Sequence, residues 1–254
     1  MNILQTIKDK PLLMGILNVT PDSFSDGGKY NHIDQAMSRV EKMIDEGVDI
    51  IDIGGESSGP DSKEVSLQEE LERVMPVFEK IRTQFNIPLS VDTYKHQVAL
   101  HALQVGVNMI NDVTAFRGDE QMATVLADYD VPVVLMYSKD PNARTTRKNV
   151  EYDDVVSHIN AFLKQRIAYA VEKGIAAERL IIDPGMGAFV STKAKYSFEI
   201  LKKLRDFEMH KSSILIGASR KSFLGGKPED RLEKGLAAAG VALMNGANII
   251  RTHD

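Results

Sequence analysis

"IIDIGGESSGP", residues 50–60, decides the fold. An apolar, mostly β-branched run that reaches back to Val48 ends in Gly-Gly and a polar stretch. The run does not alternate apolar and polar positions. It therefore reads as a parallel strand buried on both faces. Asp52 lies inside it, and Glu56, Ser57 and Ser58 follow its end. Polar groups just past the carboxyl end of a buried parallel strand sit where α/β folds build their sites.

The pattern recurs along the chain. Short apolar runs at residues 12–18, 48–53, 88–92, 107–111, 131–136, 180–183, 213–217 and 247–251 predict eight strands. Between them lie segments of helical periodicity at 31–47, 66–85, 153–174, 194–207 and 231–246. Ser66 and Glu69 are spaced as a capping box that starts the second of these. No linker or low-complexity tract divides the sequence, so residues 1–254 form one domain. Eight such units in 254 residues predict a (β/α)8 TIM barrel. An open doubly wound sheet is the runner-up; it has fewer strands and carries a G-x-G-x-x-G turn that is not found here. The eighth strand stands almost at the end of the sequence with no helix after it. Bare apolar surface is therefore expected beside strand 1, covered by another chain or by residues beyond Asp254.

Composition narrows the function. The chain is 43% hydrophobic and 26% charged, as a soluble globular protein requires. A net charge of −5 supplies no field for nucleic acid or an anionic membrane, so an anionic substrate needs a local cationic cluster. The absence of cysteine excludes disulfides, thiolate nucleophiles and Cys-zinc sites, and fits a cytoplasmic protein. "MNILQTIKDK" is too short and too charged for a signal peptide, and no apolar run is long enough to span a membrane.

Barrel active sites lie at the carboxyl ends of the strands, and here nearly every end is polar. Asn18, Asp52, Asp92, Asn111 and Asp183 end strands or lie near their ends, Ser219 to Lys221 follow strand 7, and Arg251 and His253 close the chain. One Asp after a strand is often only a helix N-cap; convergence of seven ends on one rim predicts a pocket. Asp92, Asn111, Asp183 and Lys221 suit a flat heterocycle with N–H donors and a carbonyl, because a carboxylate pairs with a cyclic amidine edge. Arg251, His253 and Asn18 suit a phosphorylated group, with Asn18 able to ligate Mg²⁺.

Seven blocks now resemble a known family: "MGILNVTPDSFSDGG" (14–28), "IIDIGGES" (50–57), "SVDTYK" (90–95), "MINDV" (109–113), "IIDPGMG" (181–187), "IGASRKSF" (216–223) and "RTHD" (251–254). In order and over the whole chain they are similar to the signatures of dihydropteroate synthases. The resemblance implies a (β/α)8 barrel and an EC 2.5.1-type transferase. It implies condensation of 6-hydroxymethyl-7,8-dihydropterin diphosphate with p-aminobenzoate, release of pyrophosphate, and a place in folate biosynthesis. It gives the pterin to Asp92, Asn111, Asp183 and Lys221, and the diphosphate with its Mg²⁺ to Asn18, Arg251 and His253. Asp92, Asp183, Lys221, Arg251 and His253 become the catalytic set. Ser219 and the "SFSDGG" loop (23–28) receive the second substrate, and Ser58, Met136 and Phe189 complete the substrate-binding residues. A homodimer is implied as well.

Three departures fall at the aminobenzoate end. The family's Glu-Ser-Thr-Arg-Pro-Gly after strand 2 reads "ESSGPD" (56–61), so Gly59 stands for the arginine and Asp61 adds a charge. After strand 6 the usual aromatic aligns with Ala188, with Phe189 next to it, and the lysine of that motif is absent. Tyr137 replaces a histidine after strand 5. These leave room for two alternatives: a pterin-binding paralogue with a different or no second substrate, and a pterin-binding methyltransferase domain.

Overall fold

The structure, a computed structural model, describes residues 2–20 and 29–254. The "SFSDGG" loop lies outside the described residues. Eight parallel strands close into a barrel in the order β1 to β8. They are β1 (Leu12–Asn18), β2 (Ile50–Gly54), β3 (Leu89–Asp92), β4 (Met109–Asp112), β5 (Val133–Met136), β6 (Leu180–Asp183), β7 (Ser213–Ile216) and β8 (Ile249–Thr252). The ring closes where β1 pairs with β8, Leu12 against Ile249. Each predicted strand overlaps an observed one.

Helices α2 (Lys29–Asp45), α3 (Leu67–Gln84), α6 (Val155–Glu172), α7 (Ala194–Lys202) and α8 (Leu232–Met244) match the five read from periodicity. Ser66 caps α3 as expected, its hydroxyl accepting from Glu69 N at 3.2 Å. Three further helices are added: α1 (Ile3–Asp9), α4 (His96–Gln104) and α5 (Gln121–Ala127). At 7 to 9 residues each, they are too short for a 3.6-residue period to show. α1 has a structural task. Its buried Ile3 and Ile7, one helical turn apart, join Met14, Ile50, Met109 and Ile181 inside the barrel and plug its amino end. Among the described residues no helix follows β8.

Bare surface does not appear beside strand 1 as expected. β1 is buried apart from Asn18 and a half-buried Leu13. The exposed large apolar side chains lie mainly on α7 and α8: Phe198, Leu232, Leu236, Val241, Leu243 and Met244.

Register sets the rim. Asn18 pairs with Gly54, Gly54 with Asp92, and Asp92 with Asn111. Met136 pairs with Asp183. The carboxyl ends thus stand at a common level, fixed by ladder hydrogen bonds. One glycine is obligatory here. Gly185 has φ +71°, and a Cβ on it would lie 2.4 Å from the Tyr137 carbonyl oxygen. Only glycine lets the loop after β6 pass so close to the end of β5.

Candidate active site

The strand ends open on a cavity of about 450 Å³, within the size range of small-molecule sites. Arg251 spans its floor. Its Nε donates to Asp52 Oδ2 at 2.6 Å and its Nη2 to Asp92 Oδ2 at 2.6 Å. Asn111 Nδ2 also donates to Asp52 Oδ2, at 3.0 Å. Asp52 is fully buried and lies two residues back from the end of β2, one layer below the rim. Its second oxygen has no hydrogen-bond partner among the described residues. Asp183 accepts from Gly185 N at 2.7 Å, a bond that the left-handed glycine makes possible.

The buried charges shift one another. Burial pushes the Asp92 carboxyl up to about 7, with Arg251 opposing and Asp52, Glu70 and Asp112 adding to the rise. Burial raises Asp183 too, against Lys221. Lys221 falls to about 8 because burial outweighs the attraction of Asp183. Burial disfavours the Arg251 charge, yet Asp52 and Asp92 more than offset this and hold it above the usual range. His253 is pushed down to about 4 by burial and by Arg251 and Arg220, so it is neutral at pH 7. Its Nδ1 lies 3.1 Å from Ser219 Oγ, and its carbonyl accepts from Arg39 at 2.6 Å. This end of the cavity thus offers a neutral imidazole, a hydroxyl and a guanidinium.

The other end is built by loops. Thr145, after β5, ties two of them: its N donates to Ser58 O at 3.1 Å and its Oγ1 to Ala188 O at 2.9 Å. Buried Lys139 donates through Nζ to Ala188 O at 2.6 Å and through its backbone N to Phe189 O at 2.8 Å. Phe189 faces the cavity, with Lys221 Nζ 5.1 Å from its ring centroid. Phe189 thus supplies aromatic surface to the cavity next to Ala188.

A family model described as pterin binding enzyme matches residues 14–253. The dihydropteroate synthase of Clostridium beijerinckii is 42% identical over 253 residues, covering 98% of this chain and 90% of that protein. That of Bacillus subtilis is 41% identical, covering 97% and 85%. The solved structure of the Xanthomonas albilineans dihydropteroate synthase with 4-aminobenzoic acid superposes with a TM-score of 0.90 at 40% identity, covering 97% and 88%. The chain belongs to the dihydropteroate synthase family. It is, accordingly, a transferase of the EC 2.5.1 type.

Apart from the "SFSDGG" loop, which lies outside the described residues, the residues expected from sequence to bind substrate line one cavity. Asp92, Asn111, Asp183 and Lys221 gather at the strand ends; Asn18, Ser219, Arg251 and His253 close one side; Ser58, Met136 and Phe189 line the other. The Arg251 guanidinium also reaches Asp92 and Asp52, so it links its own side to the carboxylates at the strand ends. Glu56, Arg147, Arg220 and Arg231 also line the cavity and Asp52 lies beneath it, none of them given a role by the sequence motifs. Asp52 carried a signal, since a carboxylate inside an apolar strand must find a partner. Glu56 is held by Lys95 and Arg144. Arg147 carried none, because "NARTTRKN" reads as an ordinary basic loop. Among the described residues no three His, Cys, Asp or Glu side chains gather as a metal cage. No helix of them is long and apolar enough to cross a membrane.

Proposed function

We infer that this chain is a dihydropteroate synthase, joining 6-hydroxymethyl-7,8-dihydropterin diphosphate to p-aminobenzoate and releasing pyrophosphate in folate biosynthesis. The observation that carries the reading is the convergence of Asp92, Asn111, Asp183 and Lys221 with Arg251, His253 and Asn18 on one cavity. The carboxylates and the Asn111 amide bind the N–H edges of the pterin, and Lys221 donates to its ring acceptors. Asn18, His253 and Arg251 hold the diphosphate. A pterin edge on Asp92 competes with Arg251, freeing guanidinium donors for phosphate oxygen.

Mg²⁺ fits this donor set as an ion carried by the diphosphate. A hard cation that keeps waters and phosphate oxygens needs only one or two protein oxygens, and Asn18, which lines the cavity, would supply one. The ion would supply neutralisation of charge on the pyrophosphate. The bond between the exocyclic CH2 and the diphosphate oxygen breaks, and the electron pair leaves with pyrophosphate. Asp92 and Asp183 favour the positive charge left on the ring. The arylamine nitrogen then bonds to the CH2 and loses a proton. No nucleophilic side chain is required.

The test is pyrophosphate release by the purified protein with Mg²⁺, pterin diphosphate and p-aminobenzoate. Release that requires the amine supports synthesis; release without it, or binding without turnover, supports the paralogue alternative. A methyltransferase domain has no use for a diphosphate grip, and none of the relatives above favours it. A homodimer fits the exposed apolar residues of α7 and α8, which flank a groove of about 450 Å³; sedimentation measures it. The absence of cysteine supports a cytoplasmic site of action.

A further inference from the structure

We propose that Arg147, on the loop after β5, grips the carboxylate of the aminobenzoate, where the family pattern puts an arginine that Gly59 replaces on the loop after β2. The assignment rests on the synthase reading above.

Among the described residues, one cationic side chain of the cavity is left uncommitted. Arg251 is held by Asp52 and Asp92. Arg220 is held by Asp254, with Nε at 3.0 Å from Oδ1. Lys221 answers Asp183 at the pterin end. Arg231 donates to three backbone carbonyls, those of Arg220 and Gly226 at 2.6 Å and Gly225 at 3.3 Å, and so serves as a brace for the loop after β7. Among the described residues Arg147 makes a single side-chain hydrogen bond, from Nε to Asp61 Oδ2 at 3.1 Å. The two side chains are 65% and 77% exposed, so this pair is weak. Both Nη nitrogens of Arg147 lack a hydrogen bond to a described residue, leaving a planar fork for a carboxylate.

Its position fits the task. Arg147 follows Thr145 by two residues, and Thr145 is bonded to both altered loops, at Ser58 and Ala188. Arg147 therefore follows a stretch of backbone tied to the residues next to Gly59 and Phe189, and it lines the same cavity as both. Gly59 leaves the space open, since a Cβ there would meet only Ser57 Oγ, at 3.4 Å. Arg147 also pairs with Asp61, which lessens the repulsion that carboxylate offers an anionic substrate.

The experiment compares p-aminobenzoate with p-aminobenzamide, which lacks the charge, at saturating pterin diphosphate and Mg²⁺. For Arg147→Ala, KM for p-aminobenzoate should rise roughly tenfold or more, with kcat within roughly twofold. KM for the amide should stay as in the unaltered protein, and Arg147→Lys should recover part of the loss. An unchanged KM for p-aminobenzoate overturns the assignment, and so does an equal rise for both amines, which would mean general loop damage. Failure of the unaltered protein to release pyrophosphate with either amine is a different result: it overturns the synthase reading, and this assignment with it.

Discussion

The two ends of the cavity are made differently. At the pterin end the functional side chains sit on or beside strands, and their level is fixed by pairings such as Asp92 with Asn111. At the aminobenzoate end they sit on loops held by a few cross-loop bonds through Thr145 and Lys139. The three departures expected from the resemblance, at Gly59, Ala188 and Tyr137, all lie at the loop-built end. A residue fixed by barrel register cannot be replaced from a neighbouring strand without moving the ladder. A loop residue can, because adjacent loops cover the same space.

The largest effect expected from this contrast is on the buried charges. Arg251→Met leaves fully buried Asp52 and nearly buried Asp92 without a counter-ion. Stability should fall by about 3 kcal/mol, measured by urea unfolding, and a second change, Asp52→Asn, should restore part of it. Asp183→Asn should weaken pterin binding by roughly 100-fold in calorimetry, since a hydrogen bond to a buried charge contributes up to about 3 kcal/mol. An unchanged affinity would mean that the strand-built end is not where the ring binds.

A pH series tests the same end more finely. Lys221 is charged below about 8 and loses its proton above it. Asp92 is ionised above about 7 and protonated below it. Pterin affinity should therefore peak between these values and decline on both sides, and Lys221→Met should flatten the alkaline limb. KM for p-aminobenzoate should not follow that limb if the ends are independent. The smallest effect is expected from Gly59→Arg, which restores the family residue in open space. It should lower KM for p-aminobenzoate only about two- to threefold, as one more exposed charge pair contributes under about 1 kcal/mol. A much larger gain would mean that the loop after β2, not the loop after β5, dominates the grip.

Much of this site was legible in the sequence. Asp92, Asn111 and Asp183 announce themselves because a polar residue that ends an unbroken apolar strand has one place to point, the barrel rim. Asp52 was visible but not interpretable, since its partner Arg251 lies 199 positions away. α1 was read only as a segment unfit for export, and its role as a plug depends on the hollow that eight strands enclose. The exposed apolar face was expected beside strand 1 and lies on α7 and α8; β1 is covered instead by Met43 of α2 on one face, beside Gly15, and by the α1 plug on the other.

The sequence by itself determined the number of strands, their parallel arrangement, the rim on which chemistry gathers and the family. Each follows from local pattern: apolar run length, helical spacing and short motifs. The tertiary structure alone decided which charges neutralise one another, that Arg251 bridges Asp52 and Asp92, and that Thr145 ties the segment carrying Arg147 to the loop after β2. Those facts depend on distances between residues far apart in the chain, and barrel closure and loop contacts set such distances where no local pattern can.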